Sequence, residues 1–204
     1  MRRLVYLVAS TIDGFIAGPD GSDPTGPAGF WPIPPDYVDH LREEYPETLP
    51  GPAREALGVT AEGRHFDTVL EGRGSYEIGL RAGVDDAFPH LRHLVFSRTL
   101  ERVPAAAVEL VSTDPVERVR QLKREPGRDL WLIGGAGLAR SLYPEIDRLV
   151  VKLAPLTIGA GLPLFSQEAE FNPAVWDLTN HHALAGGALF LTYDRTRPQD
   201  HPTP

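Results

Sequence analysis

The chain has 204 residues, no cysteine and a formal net charge of −8. That length suits one α/β domain with a well-buried core, and the lack of cysteine excludes disulfides, thiolate metal sites and cysteine nucleophiles. An acidic balance argues against nucleic acid as the main partner, and no run approaches the roughly 18 apolar residues of a membrane span, so a cytoplasmic chain with no membrane partner is expected.

Leu4–Ala9 is a short apolar run that reads as a buried strand, and it meets the turn signal Asp13-Gly14 too soon for a leader peptide. Residues 18 to 35 are rich in Gly and Pro and read as a loop. Asp36 opens a helical pattern with Val38, Leu41 and Tyr45 on one face. Pro46 to Pro52 breaks it, and Ala53–Leu57 reads as a short helix. Thr68–Leu70 is a strand that runs into Gly72-Arg73-Gly74-Ser75, with a helix from Ser75. His93–Phe96 and Val108–Val111 are further strands. Asp114-Pro115 is a helix start, a capping side chain followed by proline at the first position. Val116, Val119 and Leu122 form that helix's buried face. Leu130–Ile133 is a strand ending at Gly134-Gly135-Ala136-Gly137, with a helix to about Tyr143. Leu149–Leu153 is a strand, and Thr157–Pro163 a Gly-rich loop. Val175–His182 and Ala188–Tyr193 read as a hairpin turning at Ala185-Gly186-Gly187. A domain over 1–195 and a disordered tail over 196–204 are expected. Strands alternate with helices up to about residue 153, which predicts an α/β fold: a mostly parallel central sheet flanked by helices, closed by an antiparallel C-terminal hairpin.

Three predicted strand ends carry small or polar residues suited to phosphate: Gly72-Arg73-Gly74-Ser75, Ser97-Arg98-Thr99 and Gly134-Gly135-Ala136-Gly137. Ligands of parallel α/β sheets sit at the carboxyl ends of strands. Glycine admits close backbone approach, a following helix offers free N–H groups, and arginine adds bidentate contacts. Each segment alone also reads as a plain turn or a solvated surface charge. The G-x-G-x-x-G dinucleotide fingerprint fails, because Gly135 and Gly137 are followed by Arg140 where the third glycine belongs.

Taken together, the motifs resemble a known family. Ser10-Thr11-Ile12-Asp13-Gly14-Phe15-Ile16-Ala17 is similar to the "S-x-D-G-x-I-A" start of RibD-like reductases. Leu70 to Glu77 resembles their "G-R-x-T/S-Y/W-E" segment, and Ile133 to Leu138 their "GG-x-x-L" turn. Pro155 to Phe165 matches "P-x-x-x-G-x-G-x-x-L-F". The resemblance covers residues 3 to 194 and points to the dihydrofolate reductase-like superfamily, on the side of the RibD C-terminal domain. It implies the three-layer fold of that superfamily, NADPH as hydride donor and a homodimer. Carried over, Gly72, Arg73 and Ser75 would hold the pyrophosphate. Ser97, Arg98 and Thr99 would meet the adenosine and its 2′-phosphate. Gly134, Gly135, Ala136, Gly137 and Leu138 would wrap the pyrophosphate and nicotinamide ribose. Ala9, Ile16 and Ala17 would line the nicotinamide through backbone groups.

On the substrate side, Trp31-Pro32-Ile33-Pro34-Pro35-Asp36 is similar to the "W-x-x-P-x-D" segment of dihydrofolate reductases. That likeness implies a pterin-holding, catalytic role for Asp36, beside Trp31. Asp36 after two prolines is equally a helix N-cap. Pro46–Arg64 reads as an insertion able to cover the pocket. His90 and His93, and His181 and His182, fall on opposite strand faces, a poor arrangement for metal. Asp85 and Asp86 read as a solvated turn, Trp131 as core or cofactor end, and Ser141 and Ser166 lack a nucleophile elbow. The expected activity is hydride transfer to a C=N or C=O bond of a small heterocycle. A ribosylaminopyrimidine and a pterin are the competing substrates, and a nucleotide-binding module without catalysis is the other class.

Overall fold

The computed structural model describes residues 1–26, 29–165 and 171–196. Eight strands form one sheet in the order β5 (Val108–Val111), β4 (Arg92–Phe96), β3 (Phe66–Gly72), β6 (Asp129–Gly134), β1 (Leu4–Thr11), β7 (Ile146–Ala154), β10 (Leu189–Arg195) and β9 (Trp176–Ala183). β5 through β7 are parallel, and β10 runs antiparallel to both β7 and β9. The expected parallel sheet and antiparallel hairpin are both present. A second, two-stranded sheet joins β2 (Phe15–Ala17) to β8 (Leu162–Pro163), where the sequence suggests only turn and loop.

Strand alternation separates two cores. Leu4, Tyr6 and Val8 of β1 join Leu70, Leu94, Leu130 and Leu132 on one face. There α4 (Pro115–Arg124) contributes Val119 and Leu122, and α5 (Ala136–Ser141) contributes Ala139. Val5 and Leu7 join Val69, Trp131, Val150 and Phe190 on the other face, under Tyr37 and Leu41 of α1 (Pro35–Glu44). Tyr76 of α3 (Arg73–Arg81) packs on Val95 and Val108. Each such side chain contributes roughly 1.5–3 kcal/mol by leaving water.

Several local readings are corrected. α1 buries Tyr37 with Leu41, not Val38. Its N-cap is Pro34 with no side-chain capping bond, so Asp36 lies inside the first turn and is no cap. α3 starts at Arg73, two residues earlier than Ser75 suggests. Thr196 is tied back to Val175 and Asp177; residues 197–204 of the expected tail lie outside the described residues, as does Ser166.

Pro46–Arg64 is built into the core beside the start of β3. It forms a 3-10 turn at Pro46–Thr48 and α2 (Gly51–Ala56). It packs at the amino ends of the strands, away from the glycine segments. Leu49 joins Phe66, Phe88 and Trp131 in the core. Glu47, fully buried, accepts from the backbone N–H of His65 (2.6 Å) and Phe66 (2.9 Å), where β3 begins. His90, just before β4, contacts the Glu47 carbonyl at 2.8 Å. Among the described residues no helix is long and apolar enough to cross a membrane, and no cluster of metal-ligating side chains is found.

Glu47→Ala would leave two buried N–H groups without an acceptor. The expected cost is about 2–4 kcal/mol in urea unfolding, with a smaller cost for Glu47→Gln, which keeps one oxygen. An alanine variant as stable as the parent would show that β3 does not depend on this clamp.

Candidate functional site

The register aligns the three glycine-bearing strand ends. Gly72 lies beside Phe96, and Glu71 beside Gly134. The segments after them therefore leave the sheet side by side, and they touch. Arg73 Nη1 donates to Thr99 Oγ1 at 2.8 Å. A Cβ built on Gly135 would lie 3.6 Å from Ser75 Oγ, and one on Gly72 would lie 3.5 Å from Leu138 Cβ. Gly135 has φ +89°, a conformation that disfavours any side chain. Cβ atoms on Gly74 and Gly137 would meet nothing within 4 Å. These two glycines face open space.

Among the described residues no side chain caps the first turn of α3 or α5. Arg98 is exposed and makes no ion pair with a described residue. Ser97 is committed to the turn itself: its Oγ accepts from Thr99 N–H at 3.2 Å and Leu100 N–H at 3.0 Å. Arg73 also pairs with Glu77 at 3.4 Å, one turn along α3.

The sheet opens at the same edge. β1 and β6 pair at Leu4–Leu130, Val5–Trp131 and Tyr6–Leu132, and at no later position. Past that point β6 stays with β3 as far as Gly134, and β1 stays with β7 as far as Thr11. The indole N–H of Trp131 donates to the Leu7 carbonyl at 3.3 Å, just beyond the last paired position. Ala9, half-buried, stands on one wall of the opening, and Gly134 and Gly135 on the other.

Ile16 and Ala17 sit on β2, which a clasp holds to the loop before β8. Asp13 Oδ2 accepts from the N–H groups of Ile158 (3.1 Å) and Gly159 (2.8 Å), and Thr11 Oγ1 donates to Asp13 Oδ1 at 2.5 Å. The Thr11 hydroxyl and then these backbone groups outweigh desolvation and hold the Asp13 carboxyl below its usual range. A Cβ on Gly161 would fall 2.2 Å from the Ala17 carbonyl, so only glycine fits there. The opening and closing sequence motifs are thus two halves of one clasp, a relation that their separation in the chain hides.

On the substrate side Trp31 is buried at 7% exposure and held by a bond from its N–H to the Pro24 carbonyl. Asp36 Oδ2 accepts from Gly186 N–H at 2.8 Å, which pins the β9–β10 turn to α1. Lys152, unmarked by any motif, lies on β7 in register with Ala9 and with Phe190, on the face that α1 covers. Its signal in the sequence is a charge inside the apolar run from Leu149 to Leu153.

The model of the RibD C-terminal domain family matches residues 2–190. The chain belongs to that family. The uncharacterized Bacillus subtilis proteins YyaP and YwjB are similar to it, at 27% identity over 177 residues (80% of each chain) and 26% over 171 residues (81% of this chain, 84% of the relative). Two solved structures share the fold. One is a Shewanella sp. PV-4 protein assigned provisionally to riboflavin biosynthesis, with TM-score 0.67, 21% identity and coverage of 96% and 99%. The other is Enterococcus faecalis dihydrofolate reductase complexed with NADP(H) and RAB-propyl, with TM-score 0.64, 16% identity and coverage of 96% and 97%. The fold is thus the dihydrofolate reductase-like three-layer arrangement.

Behind its glycine edge, this RibD C-terminal domain holds a buried charge network. His93 is 1% exposed; its Nε2 meets Glu71 Oε1 at 2.6 Å and its Nδ1 meets Asp86 Oδ1 at 2.9 Å. Asp86 is therefore an anchor rather than part of a solvated turn, and Tyr76 donates to the Asp85 carbonyl at 2.9 Å beside it. Glu71 directly precedes Gly72, so the network fixes the strand end from which the cradle starts. Burial opposes charge on His93, but the bonds to Glu71 and Asp86 outweigh it and raise its pKa.

That shift fixes a sign. Stabilisation by charged His93 is complete below the ordinary imidazole value of 6.5 and fades as pH rises through the raised value. His93→Gln is expected to cost about 3 kcal/mol near pH ~6 and distinctly less near pH ~9. Unfolding of both proteins across that range checks it, and a cost independent of pH would mean that His93 is neutral in the fold.

Proposed function

We propose that the protein is an NADPH-dependent reductase that passes hydride to a C=N or C=O bond of a small heterocyclic substrate. The observation that carries this reading is the parting of β1 and β6 beside the glycine cradle. A flat ring entering there meets backbone on both walls, and a pyrophosphate can lie along Gly134–Gly137 and the first turn of α3. NADPH supplies the hydride when bound, and the chain supplies position and electrostatics. In this reading Gly72, Arg73 and Ser75 hold the pyrophosphate. Arg98 and Thr99 meet the 2′-phosphate, with Ser97 shaping their turn. Gly134, Gly135, Ala136, Gly137 and Leu138 wrap the ribose side. Ala9, Ile16 and Ala17 present backbone to the nicotinamide, and Trp31 and Asp36 border the substrate.

A ribosylaminopyrimidine, as in the uracil-reducing step of riboflavin synthesis, suits the site better than a pterin. A pterin needs a carboxylate for its aminopyrimidine edge, and one oxygen of Asp36 is already engaged by Gly186. We also infer a homodimer in the cytoplasm. The support for the dimer is β9, whose outer edge pairs with no strand among the described residues and whose side chains are almost all exposed, Leu178 at 52% among them.

Titration with NADPH and NADH, followed by nicotinamide fluorescence, tests the cofactor site. NADPH is expected to bind at least about tenfold more tightly, and Arg98→Ala to remove most of that margin, since a charge-assisted bond is worth about 1.5–3 kcal/mol. A folded protein that binds neither nucleotide would end the reductase reading. Binding without turnover of any pterin or aminopyrimidine would favour a nucleotide-binding module.

A further inference from the structure

The chain has two lysines, Lys123 and Lys152. Lys123 is 7% exposed and fully engaged: its Nζ lies 2.6 Å from Asp147 and donates to the Glu145 carbonyl at 2.6 Å. Lys152 is placed differently. It stands two residues before the end of β7, half-buried, between Ala9 on β1 and Phe190 on β10. A half-buried ammonium ordinarily takes a carboxylate partner, because desolvation without one is costly. Lys152 pairs with no carboxylate among the described residues. Its neighbour is the ring of Tyr37, with Nζ 5.9 Å from the centroid. Asp36, the preceding residue on α1, turns one carboxylate oxygen to Gly186 N–H instead. The hydrogen-bonded row Ala9–Lys152–Phe190 thus carries an uncompensated cation beside the opening in the sheet, with an aromatic wall above it.

We propose that Lys152 is the specificity-determining residue of the acceptor subsite, selecting a planar heterocycle with an anionic edge, either a ring-attached carboxylate or an acidic ring N–C=O group. The proposal rests on the reductase reading, which places the acceptor next to Ala9. The ammonium has three N–H donors and no acceptor, so it matches oxygens and deprotonated ring nitrogens. A protonated diaminopyrimidine presents only donors and a like charge to it. In a partly desolvated site that repulsion is stronger than in water, so the lysine rejects one class as it selects the other. Tyr37, buried and held by its ring contact with Phe190 at 5.5 Å, lies against the ammonium on the α1 side and fixes its position.

The test is equilibrium binding to the NADP⁺-saturated protein, followed by amide chemical shifts. The probes are orotate as anionic pyrimidine, uracil as neutral, and 2,4-diaminopyrimidine at a pH where it is protonated. Orotate is expected to bind at least about tenfold more tightly than 2,4-diaminopyrimidine. Lys152→Met should remove that preference, weaken uracil binding much less than orotate binding and leave NADPH affinity unchanged, and Lys152→Arg should retain part of it. The proposal is overturned if orotate does not bind the loaded parent protein, if the cationic probe binds as well, or if Lys152→Met binds orotate like the parent. NADPH affinity, measured separately, tells the two readings apart. When it is intact, any of these failures concerns Lys152 alone; when it is absent in folded parent protein, the reductase reading falls and takes the proposal with it.

Discussion

β1 and β6 exchange backbone hydrogen bonds through Tyr6 and Leu132 and then separate, although each stays paired on its far side. Parting two neighbouring strands in mid-sheet is costly, because every freed N–H and C=O needs another partner. Here the cost is contained. The Trp131 indole takes the Leu7 carbonyl, and β3 and β7 hold the two walls in register. Each wall of the opening is thus held in place by a strand on its far side. The walls are backbone, so the residues lining the opening are constrained by size more than by chemistry. That accounts for a site edge written in Gly and Ala.

The two ends of the sheet treat charge differently. At the amino ends, buried or half-buried ion pairs close within the chain: Arg2 with Asp67, Lys123 with Asp147, and Arg148 with Asp194. Removing a partner there leaves an uncompensated buried group, which makes that end a stability element. At the carboxyl ends Arg98 and Lys152 find no carboxylate among the described residues. In a chain of net charge −8, two unmatched cations on the cleft side create a local field opposite to that of the whole protein. Such a field suits anionic ligands on both halves of the cleft.

Much of the fold was legible because its signals are local. Apolar runs ending in Gly or in a polar turn mark β1, β3, β4 and β6, Asp114-Pro115 marks the start of α4, and Ala185-Gly186-Gly187 marks the hairpin turn. The three glycine-bearing and polar strand ends, which the structure brings side by side, were legible for the same reason. What escaped depends on partners distant in sequence. Asp36 looks like a cap until Gly186, 150 residues away, is seen to occupy it. Asp86 looks solvated until β4 brings His93 against it. Pro46–Arg64 looks like a free insertion, yet its one buried acid closes the start of β3, and nothing near Glu47 in sequence announces that. Lys152 carried a visible signal, a charge in an apolar strand, but which face it joined required the register with β1 and β10.

The acids and the bases at the cleft thus have separate duties. Asp13 and Asp36 both direct carboxylate oxygens at backbone N–H groups of remote loops, at Ile158 and Gly159 in one case and Gly186 in the other. A carboxylate is well suited to that task, because it accepts several N–H bonds and loses no donor of its own. Once so engaged, it is a poorer partner for a cationic ligand, which would have to share its lone pairs and its position. The clasps that shape the cleft therefore also remove its negative charge from use. What remains to meet a ligand in the proposed site is the backbone of the glycine segments, Arg98 on the proposed nucleotide side and Lys152 on the proposed acceptor side. Shape and charge preference in this site follow from one allocation of side chains rather than from two independent features.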